Sequence, residues 1–445
     1  MLLISLGGVF EFYDLFLTGY VAPGMVASGL FRPGSLGIFA SLRVLAVSGV
    51  GTFVFCTFLG MWLGILLFSG LADRLGRRWV FTWSLMWYAL CSAIMAFQRS
   101  GEALDLWRLM AGIGIGVQLV TIDTYISEII PPRERGRAFS LNQFVAFAVV
   151  PLVALLAWRL SPLRVADLEG WRWVVLIGSS GALFVWLLRG QIPESPRWLA
   201  QRGRMAEADA IVCGLERRVG IARGGPLPVP ESVTATDQTQ VRFREIFGRG
   251  YGGRTLMLSL FNIAQVIGFY GFASWVPTLL TGRGITVTAS LEYSFIIAIA
   301  NPFGPLLGML FADRVERRAQ IMISMLLMGI FMAGFALATH AALLIALGTL
   351  FTLSSNVMSY AYHGYQAELY PTRIRARAVG FVYSWSRLAA AFAGLAIGYL
   401  LRSGGVALVA AFIGLAMAMG IAVIALWGPR TAGVALERSS TPNAI

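Results

Sequence analysis

Glu11 and Asp14 stand inside a stretch, residues 2–26, that is otherwise almost wholly apolar. At i and i+3 they share one face of a helix. Arg108, Asp123, His363 and Arg387 are likewise set in apolar runs, with Asp123 about four helical turns beyond Arg108. Ionisable groups in such surroundings are expensive, and they mark functional sites or buried structural pairs. The chemistry open to a carboxylate there is proton carrying. Desolvation raises its proton affinity and a nearby guanidinium lowers it, so distance to a guanidinium sets its charge. Gln143, Asn262, Gln265, Asn301, Asn356, Tyr360 and Trp385 are polar or aromatic residues in similar runs. Facing a cavity they would orient a small polar solute; facing a neighbouring helix they would only hold it.

Other chemistry finds no support. No nucleotide-binding loop, metal-ligand cluster or hydrolase elbow occurs. The three cysteines, Cys56, Cys91 and Cys213, have no metal-ligand spacing, and two lie in apolar runs. Neither an enzyme nor a nucleotide-driven pump is expected, and no cofactor beyond a coupling proton.

The elements that carry these residues are membrane spans. The 445 residues are 57% hydrophobic and 13% charged, with mean hydropathy +0.73. A soluble chain cannot hide that much apolar surface. A crossing needs about 20 mostly apolar residues. Such stretches lie near 2–26, 49–70, 79–98, 106–129, 138–160 and 172–189, then near 255–279, 291–312, 319–338, 341–366, 379–401 and 405–427. The first has no basic leader and carries two carboxylates, so a cleaved signal peptide is not expected. The expected fold is an all-α membrane protein with twelve transmembrane helices in two six-helix bundles. Residues 1–189 form the first bundle and 255–427 the second. Residues 190–254 make a central loop with short helices, Gly220 to Gln240 reading as linker, and 428–445 a tail.

The net charge of +13 does not point to nucleic acid. All 35 basic residues are arginines in short segments between apolar runs. Most fall after the even-numbered spans and in the tail. The opposite loops hold only Arg32, Arg43, Arg99, Arg159, Arg164, Arg172, Arg283 and Arg402. That bias places both termini and the central loop in the cytoplasm.

The two halves repeat. Ala72-Asp73-Arg74 with Arg77-Arg78 matches Ala312-Asp313-Arg314 with Arg317-Arg318. Tyr125, Glu128, Pro131, Arg133, Arg135 and Arg137 match Tyr365, Glu368, Pro371, Arg373, Arg375 and Arg377 in the same register. Parallel repeats of six spans imply two bundles with a solute site near the midplane between them.

Ser69 to Arg78 resembles the loop signature of the major facilitator superfamily, with Glu316 standing in the second copy where the first has Gly76. Pro193-Glu194-Ser195-Pro196-Arg197-Trp198-Leu199 resembles the segment that follows span 6 in sugar porters. So do Arg108 with Gly112, Gly114 and Gly116, Phe12-Tyr13-Asp14, Asn142-Gln143-Phe144 and Trp171-Arg172-Trp173. The paired glutamines of sugar porters in span 7 are reduced to Gln265, with Ala264 beside it and Tyr270 at the asparagine position. That departure is more similar to related carriers of organic and aromatic acids and nicotinate, and it adds Tyr270 to the solute candidates.

The resemblance implies a gate built from Asp73, Arg74, Arg77, Arg78, Glu128, Arg133, Arg135, Arg137, Glu194 and Arg197. Its second-half counterpart is Asp313, Arg314, Arg317, Arg318, Glu368, Arg373, Arg375 and Arg377. It also implies that Asp14 and Arg108 meet, with Asp14 or the nearby Glu11 carrying the coupling proton. The expected function is proton symport of a small organic solute, by a monomer in a bacterial inner membrane. Its partners are the solute and the lipid bilayer, with no nucleic acid. Proton-antiport efflux and a transporter-like solute sensor are the alternatives.

Overall fold

The computed structural model describes residues 2–31, 49–68, 70–130, 135–188, 192–224, 243–248, 250–312 and 315–430. The first half runs α1 (Leu2–Ala27), α2 (Val50–Phe68), α3 (Leu71–Leu75), α4 (Arg77–Ala96), α5 (Gly101–Ile129), α6 (Arg135–Phe147), α7 (Val149–Leu160) and α8 (Gly170–Leu188). Two short helices follow, α9 (Pro196–Gln201) and α10 (Met205–Arg223). The second half runs α11 (Gly252–Ala273), α12 (Val276–Thr281), α13 (Val287–Ala298), α14 (Phe303–Ala312), α15 (Arg317–Leu337), α16 (Ala341–Glu368) and α17 (Thr372–Trp427).

Eight helical stretches among the described residues are long and apolar enough to cross a membrane. The last of these, Arg377–Trp427, holds two crossings, because 51 residues of helix reach about 75 Å against a core of about 30 Å. Gly404 (φ −152°) and Gly405 (φ +67°) break it where the sequence pattern separates two spans. With α1, α8 and the pair α13 and α14, the set comes to the twelve crossings of two six-helix bundles.

Local chemistry explains the interruptions that hydropathy misses. Span 5 is broken at Ala148, between α6 and α7, because Pro151 offers no N–H to the turn before it. Pro302 likewise divides span 8, expected as one run, into α13 and α14. Ser274 and Trp275 separate α11 from α12, which carries Pro277 in its first turn. Gly220, expected in the linker, belongs to α10, which runs to Arg223 and stops at Gly224 in the left-handed region (φ +71°). Residues 225–242 lie outside the described residues. A two-residue hairpin, β1 (Arg164–Val165) with β2 (Leu168–Glu169), turns through Ala166 and Asp167, both at positive φ.

Close packing inside the first bundle rests on glycine. A Cβ at Gly60 would stand 2.3 Å from the Leu109 carbonyl oxygen, and one at Gly64 2.2 Å from that of Ile113. From the other side, Gly112 faces the Thr57 carbonyl and Gly116 that of Met61. Gly114 turns instead toward Ser84 and Tyr88 on α4. So α2 and α5 interlock through small residues four apart on each helix, which lets their backbones touch. Gly64→Ala should therefore lower the melting midpoint in detergent, costing about 1–3 kcal/mol through overpacking against backbone. Gly414→Ala, whose Cβ would meet open space, should be neutral or slightly stabilising. Equal midpoints for the two variants would refute this interlock.

The halves meet along two seams. α2 packs on α17, with Phe55 edge-on to Phe392 at 5.6 Å. α7 packs on α13, with Trp158 stacked on Phe295 at 5.7 Å. α1 also reaches α12, where a Cβ on Gly19 would fall 2.5 Å from the Ser274 carbonyl oxygen.

Candidate functional site

Asp14 and Arg108 meet in the middle of the first bundle. Arg108 is fully buried and Asp14 is 4% exposed. Arg108 Nη1 lies 2.7 Å from Asp14 Oδ2, and Nη2 donates to the Asp14 carbonyl at 2.6 Å and to Thr18 Oγ1. Nε donates to Thr57 Oγ1 at 2.9 Å, and the guanidinium lies over the Phe53 ring. Ser92 Oγ donates to the second carboxylate oxygen at 3.0 Å. A buried ion pair is tolerable only when its remaining donors and acceptors are filled this way. Four helices, α1, α2, α4 and α5, thus share one charge pair. Asp105, also buried, lies one turn before Arg108 on α5.

A second buried cation sits in the other half. Arg387 on α17 is 2% exposed. Its Nη1 donates to Tyr270 Oη at 3.2 Å and its Nη2 to Tyr383 Oη at 2.9 Å, with the guanidinium over both rings. Phe58 and Phe269 stand 4.7 and 4.9 Å from the Tyr270 ring, and His363 is 5.6 Å from that of Tyr383. Glu11, buried on α1, is near enough for its charge to act on Arg387 and Tyr270 from across the bundle seam.

The remaining solute candidates separate. Asn301 and Asn356 are joined, with Asn356 Nδ2 donating to the Asn301 backbone and side-chain oxygens at 3.3 and 3.2 Å. Both line a cavity of about 20 Å³ with Phe16, Tyr20, Phe269 and Phe272, residues drawn from both halves. That is room for about one water, so the midplane between the bundles is closed here. Asn262 donates back to Leu258 on its own helix, and Gln265 is buried on α11. Gln143 is half-buried, Tyr360 packs against Gly308, and Trp385 is 38% exposed with its ring edge-on to Phe381.

At the end of the first bundle that carries α9 and α10, charge is organised around Arg77. It makes a two-pronged bond to Glu128 at 2.9 and 2.8 Å, donates to the Ala72 carbonyl, and pairs with Asp73 at 2.9 Å. Arg77 is 5% exposed, while the Asp73 side chain is 72% exposed. The weight of the latch therefore falls on Glu128, since exposed pairs contribute little. Glu194 Oε1 accepts from the backbone N–H groups of Arg77 and Arg78 at 2.9 and 3.2 Å, capping α4. Gly76 makes this possible at φ +98°, where a Cβ would stand 2.5 Å from Glu194 Oε2. Ser195 then caps α9, with Pro196 in its first turn. From α9, Trp198 Nε1 donates to the Asp73 carbonyl and Arg202 Nη2 to those of Asp73 and Arg74. Arg197 points to the surface, Arg74 is exposed, and the Arg78 side chain lines a groove with Trp79, Trp83 and Arg218.

The second half repeats the central bond. Arg317 Nε lies 3.1 Å from Glu368 Oε1, in the register of Arg77 and Glu128. Arg318 donates to the Ala425 carbonyl, Arg375 to that of Tyr370, and Arg377 is exposed. Glu316, in the place of Gly76, has φ −55°, a conformation that needs no glycine. Arg133, Asp313 and Arg314 lie outside the described residues, as do the side chains of Asp123, Arg135, Arg137 and Arg373.

At the opposite end, arginines close helix C-termini. Arg172 donates to the Ala96 and Gln98 carbonyls at the end of α4, and Arg283 to those of Ala336 and Ala338 at the end of α15. Burial works to raise the pKa of Glu169, but the hydrogen bond and charge of Arg172 outweigh it and hold the carboxyl below its ordinary range.

Asp105, Thr18, Thr57, Ser92 and Tyr383 are the site residues that sequence reasoning passes over. The signal for Asp105 was available: Ser100 caps α5 by accepting from the Ala103 N–H, so the span starts at Gly101 rather than 106 and takes Asp105 inside. The hydroxyls carry no such mark, being ordinary small residues in apolar helices.

Comparison with known proteins bears on what this arrangement does. A family model described as "Sugar (and other) transporter" matches residues 1–441. The niacin transporter NiaP of Acinetobacter baylyi is 28% identical over 98% of this chain and 94% of its own length. The inner membrane metabolite transport protein YgcS of Escherichia coli is 31% identical over 85% of this chain and 82% of its own. Among solved structures, the xylose transporter XylE from E. coli, in a partially occluded inward-open conformation, superposes with a TM-score of 0.75. That match covers 96% of this chain and 98% of XylE at 20% identity, and establishes likeness of fold.

Proposed function

Because the chain belongs to the sugar (and other) transporter family, and is a multi-pass membrane transporter rather than an enzyme, we propose that it moves a small organic solute together with a proton by alternating access. The observation that carries the coupling step is the Asp14–Arg108 pair. A carboxylate bonded to a guanidinium in a dry site stays ionised; once a rearrangement parts the two, loss of the guanidinium in apolar surroundings favours its protonated form. Asp14 takes up a proton when the site opens outward, and releases it when pairing with Arg108 is restored on the inward side. Rocking of one bundle against the other along the α2–α17 and α7–α13 seams supplies that alternation.

In this reading residues 1–189 and 255–427 are the moving bundles, and 190–254 the strap between them. The α10 end, rich in arginine, faces the cytoplasm with both termini, and the monomer is the working unit. The solute is an organic acid rather than a sugar. The amide set of span 7 is thin, the Nδ2 groups of Asn262 and Asn356 are spent on protein oxygens, and relatives include a named niacin transporter.

Purified protein in proteoliposomes tests this directly. With the outside acidic, labelled nicotinate or benzoate should accumulate, and a protonophore should collapse the accumulation. Binding of solute with no movement across the bilayer under any gradient would make the protein a sensor and overturn the transport reading.

A further inference from the structure

Arg387 is a buried cation with hydrogen-bonding capacity left over. Its two terminal nitrogens are taken by Tyr270 and Tyr383, but its Nε–H meets no acceptor among the described residues. Each tyrosine oxygen accepts from the arginine, so each hydroxyl proton is left to donate elsewhere, and neither has an acceptor among the described residues. Three donors and one positive charge therefore gather at one place with no acceptor for them among the described residues. Leaving the buried Nε–H unfilled is costly, and the two hydroxyls, on half-buried tyrosines, stand beside it to serve the same acceptor.

We propose that Arg387, Tyr270 and Tyr383 form the receptor for the carboxylate of the transported solute, which is a small organic monoanion with a flat ring. The proposal rests on the transport reading above and names its substrate class. A carboxylate has four lone-pair positions, enough to accept from Nε and both hydroxyls at once. A sugar hydroxyl would add another donor and leave the cation unbalanced. A phosphate dianion would bring two charges to a single arginine. The ring has a ready surround in Phe58, Phe269 and His363, which stand within 4.7 to 5.6 Å of the two tyrosine rings. Phe58 belongs to α2 and the rest to the second half, so the occupied site would bridge the seam that must move.

Equilibrium dialysis of the purified protein with labelled benzoate and nicotinate, each beside its neutral amide, tests this. At least one acid should bind wild type about 10- to 100-fold more tightly than its amide, as expected for hydrogen bonds to a charged group. Arg387→Gln should abolish that preference, and Arg387→Lys should recover part of it. Tyr383→Phe, the mildest change, should weaken acid binding about 3- to 10-fold and leave amide binding unchanged. Gel filtration establishes that each variant is folded. Acids binding no better than amides, or Arg387→Gln and Tyr383→Phe both retaining wild-type preference, would overturn the proposal. Proton-driven uptake of a neutral solute with both acids excluded would sink the carboxylate receptor and leave the transporter standing. Arg387-dependent acid binding without any transport would do the reverse.

Discussion

Asp14→Asn should abolish proton-driven accumulation while preserving exchange of solute between equal pools. One coupled proton under a gradient of one pH unit sustains about tenfold accumulation, and the variant should fall to a ratio of about one. The geometry explains why the loss should be specific. Arg108 keeps the Asp14 carbonyl, Thr18 and Thr57 as acceptors, so the guanidinium stays hydrogen-bonded when the carboxylate becomes an amide. Only the group that can gain and lose a proton disappears. The pair is also structural, and removing one partner of a buried pair costs about 3–5 kcal/mol, so the variant's melting midpoint should drop as well. Exchange measured on the folded fraction separates the two effects. Continued uphill uptake by Asp14→Asn would move the coupling site to Glu11.

Glu128→Gln should slow net transport about 10- to 100-fold with solute affinity nearly unchanged. Arg77 is held by two short bonds to Glu128 in a nearly dry setting, and hydrogen bonds between charged groups are worth about 1.5–3 kcal/mol. If the bond exists only with the α10 end closed, its loss shifts the balance of conformations by that factor and touches no solute contact. Glu368→Gln should do less, because the Arg317–Glu368 bond is longer, 3.1 Å, and lies at 32% and 23% exposure, where solvent screens it. Cysteine accessibility at the α10 end, read alongside transport, measures the shift directly. Loss of equilibrium binding in step with transport would show that Glu128 belongs to the solute site.

How much of this was legible in the sequence depends on how each residue advertises itself. Twelve crossings could be counted because apolar length is a property of the chain alone, and the repeat of charged motifs marked Arg77, Glu128, Arg317 and Glu368. The direction of each charge was not legible. Asp73 belongs to the motif, yet its carboxylate faces solvent and its backbone carbonyl makes the contact with α9. The meeting of Asp14 with Arg108 was foreseeable only through resemblance, since nothing in their spacing ties two different helices together. Arg387 stood out as an intramembrane charge, but Tyr383 one turn before it reads like any aromatic on a lipid-facing helix. The breaks at Ala148 and before Phe303 were written in Pro151 and Pro302, which hydropathy averages away.

Gly76 and Glu316 occupy matching places in the repeat with opposite backbone hands, φ +98° against −55°. The first is bound to its neighbour's cap and cannot accept a side chain; the second has no such constraint. Evolutionary drift is therefore open to one copy and closed to the other. The turn where α9 docks is held to glycine, while its counterpart accepts a side chain, and the two copies of one motif tolerate different substitutions.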